Sequence, residues 1–109
     1  MILMHHKTHA FVRQIMMPYT TKGKKSYFKK VQMKRLISML DDIFQHEGMA
    51  DLSSIGKRQI IGYWRRTEAE TDKTRREKYS ILKKYFSLYN PNIRVPEPKK
   101  RVVDTTLGS

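Results

Sequence analysis

The residues with chemistry to offer are cations, and they come in clusters. Lys22 to Arg35 contains seven Lys and Arg and no acid, and Lys57 to Arg66 contains four and no acid. Lys73 to Lys84 contains six against the single acid Glu77, and Arg94 to Arg101 adds four more. The acids gather elsewhere, around Asp41, Asp42, Glu47 and Asp51, then around Glu68, Glu70 and Asp72. Charges segregated in this way suit an electropositive face on one side of a folded chain, whose complement is a polyanion. One lysine-rich helix needs no partner, because any exposed helix face must be solvated. Recurrence on three helices, with a formal excess of +13, points instead to nucleic acid. The sharpest local feature is Lys73-Thr74-Arg75-Arg76, at the expected start of a helix. The helix dipole favours anions at that end, so cations there fit a phosphate guest held against the free amides. Thr74 has two readings: a hydroxyl contact to that phosphate, or the first residue of a capping box with Glu77.

Other chemistry is thin. His5 and His9 stand one helical turn apart and could bridge a metal, but they lack a third ligand of fixed geometry. His46 stands alone near a helix end, where the dipole favours its charge. Tyr27, Tyr79, Tyr85 and Tyr89 fit core or rim positions better than a nucleophile's role, which requires activating neighbours. There is no Gly-rich phosphate loop and no Ser-His-Asp arrangement. Met16, Met17, Met33, Met39 and Met49 read as fillers of core gaps, with a Met-rich partner groove as the alternative. The chain therefore reads as a non-enzymatic binding module without cofactor or metal.

Composition sets the frame for these residues. A chain of 109 residues holds one domain, and 39% hydrophobic with 30% charged residues is a soluble globular mixture. The absence of cysteine excludes disulfide scaffolds, thiolate zinc sites and cysteine nucleophiles. The apolar runs fall far short of the ~20 residues of a membrane span. Met1 to Met4 is too short for a signal sequence, so a cytoplasmic location is expected, nucleoid-associated if the source is bacterial or phage.

The elements that must carry the cations are helices. No segment alternates with period two between turn signals, so the expected fold class is all-α, a small bundle of four main helices. Phe11, Val12, Ile15 and Met16 recur at helical spacing behind a Thr8 cap, which predicts a helix from Thr8 to Met17 ended by Pro18. Tyr27, Phe28, Val31, Leu36, Ile37, Leu40, Ile43 and Phe44 predict a long helix from Lys25 to His46, with Gly48 as its left-handed cap. Leu52, Ile55, Ile60, Ile61 and Trp64 predict a third helix from Ser54 to Arg66. Gly62 inside it costs about 1 kcal/mol against alanine, which suggests close approach by a neighbouring helix, with a local break of the helix as the alternative. A fourth helix starts after Thr71 or Asp72 and runs to Tyr89, with a wide apolar face of Ile81, Leu82, Tyr85, Phe86, Leu88 and Tyr89, and stops at Asn90-Pro91. The expected core includes Tyr27, Val31, Leu36, Leu40, Phe44, Ile60, Trp64, Leu82 and Phe86. The domain plan is thus an extension over 1–22, a helical DNA-binding core over 23–91, and a basic, proline-containing tail or linker over 92–109. That tail is expected to be poorly ordered and dispensable for stability.

From Gly23 to Pro98 the chain resembles the N-terminal, SAM-like core-binding domain of tyrosine recombinases, the integrases of phages and conjugative elements. The likeness rests on the order of its parts. A long amphipathic helix opening on Ser26-Tyr27-Phe28 leads to the Leu52-Ser53-Ser54-Ile55 turn, then to a helix carrying Ile60-Ile61-Gly62-Tyr63-Trp64. A polar turn ending in Thr71-Asp72-Lys73-Thr74 opens a helix with Ser80-Ile81-Leu82-Lys83-Lys84-Tyr85-Phe86, which exits at Asn90-Pro91.

The resemblance implies a bundle that grips one face of duplex DNA. It nominates Lys57, Arg58, Arg65, Arg66, Lys73, Thr74, Arg75 and Arg76 as DNA contacts. It also implies that the family's catalytic residues belong to a second domain, not represented in these 109 residues. Pro96-Glu97-Pro98-Lys99-Lys100 then corresponds to the interdomain linker, and the chain is either an excised domain or a stand-alone accessory factor. Expected partners are double-stranded DNA and a full-length recombinase or its catalytic domain, with no membrane and no small-molecule substrate. The competing expectation is an adaptor that docks on a recombinase or regulator through exposed methionines and aromatics. Membrane-surface binding is the weakest expectation, because the apolar faces are needed for the core.

Overall fold

In the computed structural model, which describes residues 6–21, 23, 27–48 and 51–99, the chain is all-α. Five α-helices and no strand lie among the described residues: α1 (His6–Ile15), α2 (Met17–Thr21), α3 (Tyr27–Glu47), α4 (Lys57–Arg66) and α5 (Asp72–Tyr89). Helix α3 is the hub, with α1, α4 and α5 packed on it. It buries Met33, Leu36, Ile37, Met39, Leu40, Ile43 and Phe44 at three- and four-residue steps. Against them stand Ile60, Tyr63 and Trp64 from α4, and Ile81, Leu82, Tyr85 and Phe86 from α5. Val12 and Met16 seal the α1 side.

The apolar stripe of α3 begins later than its sequence suggests. Tyr27 is 82% exposed and Phe28 52% exposed, and Val31 is only half-buried. Tyr27 lies on the face of Lys34 and Ser38, about opposite the buried Leu36 and Leu40. The inward position is taken instead by Gln32, whose amide is bonded through both its nitrogen and its oxygen. Its Nε2 donates to the Glu77 carbonyl at 3.0 Å, and its Oε1 accepts from Arg35 at 3.0 Å. Arg35 also meets the Glu77 carboxylate at 2.6 Å. Of the methionines, Met16, Met33 and Met39 are core, Met17 is exposed, and Met49 lies outside the described residues. The expected helix start at Lys25 also lies outside them.

Two helix boundaries differ from expectation for local reasons. Pro18 does not end the helical path. The chain turns at Met16 and restarts as α2, with Pro18 in the first turn, where a missing amide proton costs nothing. The Met16 carbonyl accepts from Tyr19 at 2.9 Å and Thr20 at 3.0 Å. The third predicted helix begins at Lys57, not Ser54. The Asp51 carboxylate caps a short 3-10 turn over Leu52–Ser54 by accepting from the Ser54 amide at 3.2 Å, and Ile55 and Gly56 are then extended. Gly48 follows α3 with φ +62°, as the left-handed cap requires. Gly62 is a close approach: a Cβ there would stand 2.6 Å from Glu47 Oε2, at the end of α3. That oxygen pairs with Arg66 Nη1 at 2.7 Å, while Arg66 Nε donates to Asp42 at 3.0 Å, so one arginine ties α4 to α3.

The segment after α5 is docked over 93–99, against the expectation of a loose tail. It has no regular secondary structure, yet Val95 is buried and Ile93 packs on the core. The Trp64 indole donates to the Pro96 carbonyl at 2.8 Å, and Arg75 Nη1 donates to the Lys99 carbonyl at 2.8 Å. A buried indole N–H needs such an acceptor, and the chain crossing α4 provides it. The remainder of the tail, 100–109, lies outside the described residues.

Candidate nucleic-acid interface

The outer face of α5 is a stripe of cations and serines. Lys73, Arg76, Ser80, the adjacent pair Lys83 and Lys84, and Ser87 recur at three- and four-residue steps along one side and are all exposed. The residues between them turn inward: Arg75, Ile81, Leu82, Tyr85 and Phe86 are buried. Arg76 and Lys83, seven residues apart, sit about 10.5 Å from each other along the axis. No carboxylate pairs with Lys73, Arg76, Lys83 or Lys84 among the described residues, and Lys83 rests over the Tyr79 ring at 5.2 Å. Glu77, the acid inside this basic stretch, turns toward α3 and is held by Arg35.

A second stripe runs along α4. Lys57, Arg58 and Arg65 are exposed on the side away from Ile60, Tyr63 and Trp64, with the part-exposed Ile61 between them. Arg58 and Arg65 share a face at a seven-residue step, as expected. The junction of the two helices brings Arg65 near the start of α5, because Arg75 Nη2 donates to the Trp64 carbonyl at 2.8 Å. Lys57 and Arg58 lie at the opposite end of α4.

The acids neutralise a specific subset of cations. Arg35 pairs with Glu77, Arg66 with Asp42 and Glu47, and Lys78 with Glu70. Each of these pairs links elements of the fold. Burial alone would lower the Lys78 pKa, but its hydrogen bonds to Glu70 and the Tyr63 hydroxyl raise it above the ordinary lysine value. Pairing is therefore spent inside the bundle, and the exposed stripes keep their charge. Arg66 belongs to this structural set, although part of it is exposed.

Arg75 is the main correction to the nominated contacts. Its side chain is 3% exposed and cannot present a guanidinium to a phosphate or a base edge. It bonds the Trp64 and Lys99 carbonyls and lies over the Trp64 ring at 5.8 Å. In the sequence it looks like part of a basic run, but position 75 falls on the same helix face as Leu82 and Phe86. Exchanging Arg75 for lysine, which keeps the charge but cannot reach both carbonyls, costs about 1–3 kcal/mol of stability. Thermal melts with duplex titrations of the folded variant check this: a lower Tm with unchanged DNA affinity is expected. Weakened binding at an unchanged Tm would return Arg75 to the interface.

Thr74 is half-buried and does not open a capping box with Glu77, which Arg35 engages. Thr71 is the cap: its hydroxyl oxygen accepts from the Thr74 amide at 3.2 Å. Ser80, Lys83, Lys84 and Ser87 share the exposed face of α5 but are not among the nominated contacts, although Lys83 and Lys84 belong to the Lys73 to Lys84 charge cluster. The signal that finds them is their spacing from Lys73 and Arg76. On α3, Lys30 and Lys34 are likewise exposed beside Tyr27.

Among the described residues no group of three or more His, Asp or Glu is placed to hold a metal. His9 Nε2 lies 3.0 Å from Asp41, joining α1 to α3, and His5 lies outside the described residues. His46 Nδ1 is 3.0 Å from the Asp42 carbonyl near the end of α3. Tyr85 is fully buried, and burial followed by the nearby Tyr89 raises its phenol well above the ordinary range. No helix among the described residues is long and apolar enough to cross a membrane. No family model matches the chain, and neither the curated proteins nor the solved structures contain a significant match to it.

Proposed function

We propose that this chain is a duplex-DNA-binding module of the kind found as the core-binding domain of tyrosine recombinases. The observation that carries the DNA reading is the α5 stripe: Lys73, Arg76, Lys83 and Lys84 are exposed along one helix face and have no carboxylate partner among the described residues. Its helical length of 18 residues spans about 27 Å, enough to follow several phosphates. Ser80 and Ser87 add hydroxyl donors between the cations, the residue types that position a protein on a phosphate backbone. Arg65, Arg58 and Lys57 on α4 extend the charged surface.

The recombinase assignment rests on the resemblance in element order and on its motifs. In that reading the partner is a full-length recombinase or its catalytic domain, and no reaction is assigned to this chain. Exposed Tyr27, Phe28 and Met17 favour a second reading, an adaptor that docks on another protein.

Duplex titrations over a range of salt separate the two. As a DNA module, the protein shows log K falling linearly with log salt. The Lys73→Ala, Arg76→Ala double variant binds all duplex sequences more weakly and lowers the slope by about two. Undiminished affinity in a variant that remains helical would remove the α5 face from the interface. Absence of duplex binding by the unaltered protein would put the adaptor reading first.

A further inference from the structure

The α5 stripe ends in a groove. Ser80, Lys83, Lys84 and Ser87 form one side of a cleft of about 420 Å³ between α5, α3 and α2, with Ile81 on its floor. The opposing walls are Phe28 and Tyr19. Its volume falls within the ~300–1,000 Å³ of clefts that hold small organic groups. Lys29 lies over the Tyr19 ring at 5.4 Å, whereas Phe28 is 52% exposed. Leaving a phenylalanine this open to water at the mouth of a cationic cleft has no packing benefit to the free protein.

We infer that this groove takes an unpaired nucleotide, its base stacked on Phe28 and its flanking phosphates held by Lys83 and Lys84. The inference rests on the nucleic-acid reading of α5 and extends it to a second class of substrate, single-stranded nucleic acid next to duplex. Charge complementarity selects the occupant. Among the described residues the rim carries two exposed lysines and two serines and no acid, so it attracts a polyanion. Geometry selects the unpaired state. A base inside a duplex shows a protein only its edges, and its faces are covered by its neighbours. A phenyl ring in a cleft can cover a base face only when that base has left the stack, which is how single-strand binders combine aromatic platforms with basic grooves. The position along α5 suits both states. Lys73 and Arg76 near the helix start meet duplex phosphates, and Lys83 and Lys84, two turns on, receive the strand that has separated.

Labelled oligothymidylate and a blunt duplex are the probes, each titrated against the full chain. The unaltered protein is expected to bind both. Phe28→Ala is expected to weaken oligothymidylate binding by about 5- to 100-fold, the loss of one stacked base, and to leave duplex binding unchanged. Phe28→Trp reads the contact directly, because an indole stacked on thymine is quenched on titration, over the background of the buried Trp64. Duplex binding without oligothymidylate binding would overturn this inference and leave the proposed function standing; binding of neither would overturn both. Unchanged oligothymidylate affinity in Phe28→Ala, or an unquenched Phe28→Trp at saturation, would also overturn the groove assignment.

Discussion

Replacing Phe86 by alanine lowers the stability of the fold by about 3–5 kcal/mol. The ring is 1% exposed and lies at the centre of the α5 face that meets the core. It stands edge-on to Tyr85, with centroids 5.0 Å apart, so truncation removes an aromatic contact as well as buried area. The cavity is not easily filled, because the neighbouring Tyr85 and Leu82 are buried and anchored on the same helix. Domains of this size have only about 5–15 kcal/mol in total, so the variant is expected to be partly unfolded at physiological temperature. Thermal or urea denaturation followed by helical circular dichroism measures the change. An unaltered midpoint would remove Phe86 from the core.

Removing the chain from Ile93 onward costs about 2–4 kcal/mol. Val95 is buried and Ile93 is partly so; burial of a side chain of this kind is worth about 1.5–3 kcal/mol when complete. Two hydrogen bonds to carbonyls of the segment are also lost, one from the Trp64 indole and one from the Arg75 guanidinium. The second loss matters more, because it leaves a charged group that is 3% exposed in the full fold without one of its acceptors. Ordering the segment opposes these gains, which is why the net figure is smaller than their sum. A truncated protein with the Tm of the full chain would mean that the contacts over 93–99 contribute nothing net. A drop, with tryptophan emission shifted toward that of a solvated indole, identifies the segment as part of the bundle.

The periodic apolar steps were enough to specify the fold class and the greater part of the inward faces of three helices, though not Tyr27, Val31 or Leu88. Leu36, Leu40, Phe44, Ile60, Trp64, Leu82 and Phe86 are buried where spacing alone put them. Much of the local chemistry was legible too: Gly48 in the left-handed cap, Thr71 as one of two candidate caps for α5, and Asn90-Pro91 ending it. These features depend on residues within a turn or two of each other, so the chain carries them without knowledge of its neighbours. Even the close approach at Gly62 left a mark, since a glycine inside a helix is unfavourable without such a reason.

Tertiary structure decided which charges are free. Lys73, Arg75 and Arg76 are equivalent in composition, but only the surroundings of α5 show that Arg75 turns in to two backbone carbonyls while its neighbours remain in solvent. Arg35, Arg66 and Lys78 find their acids 42, 24 and 8 residues away, respectively, distances at which no local pattern operates. Tyr27 leaves its expected place in the core because the buried end of α3 is set by where α5 lies, and the polar amide of Gln32 is buried there because Glu77 and Arg35 bond it. The docking of 93–99 likewise depends on an acceptor supplied to an indole 32 residues earlier. Burial and ion pairing are properties of contact between distant segments. A linear sequence records the presence of every cation, and the packed bundle determines which of them a polyanion can reach.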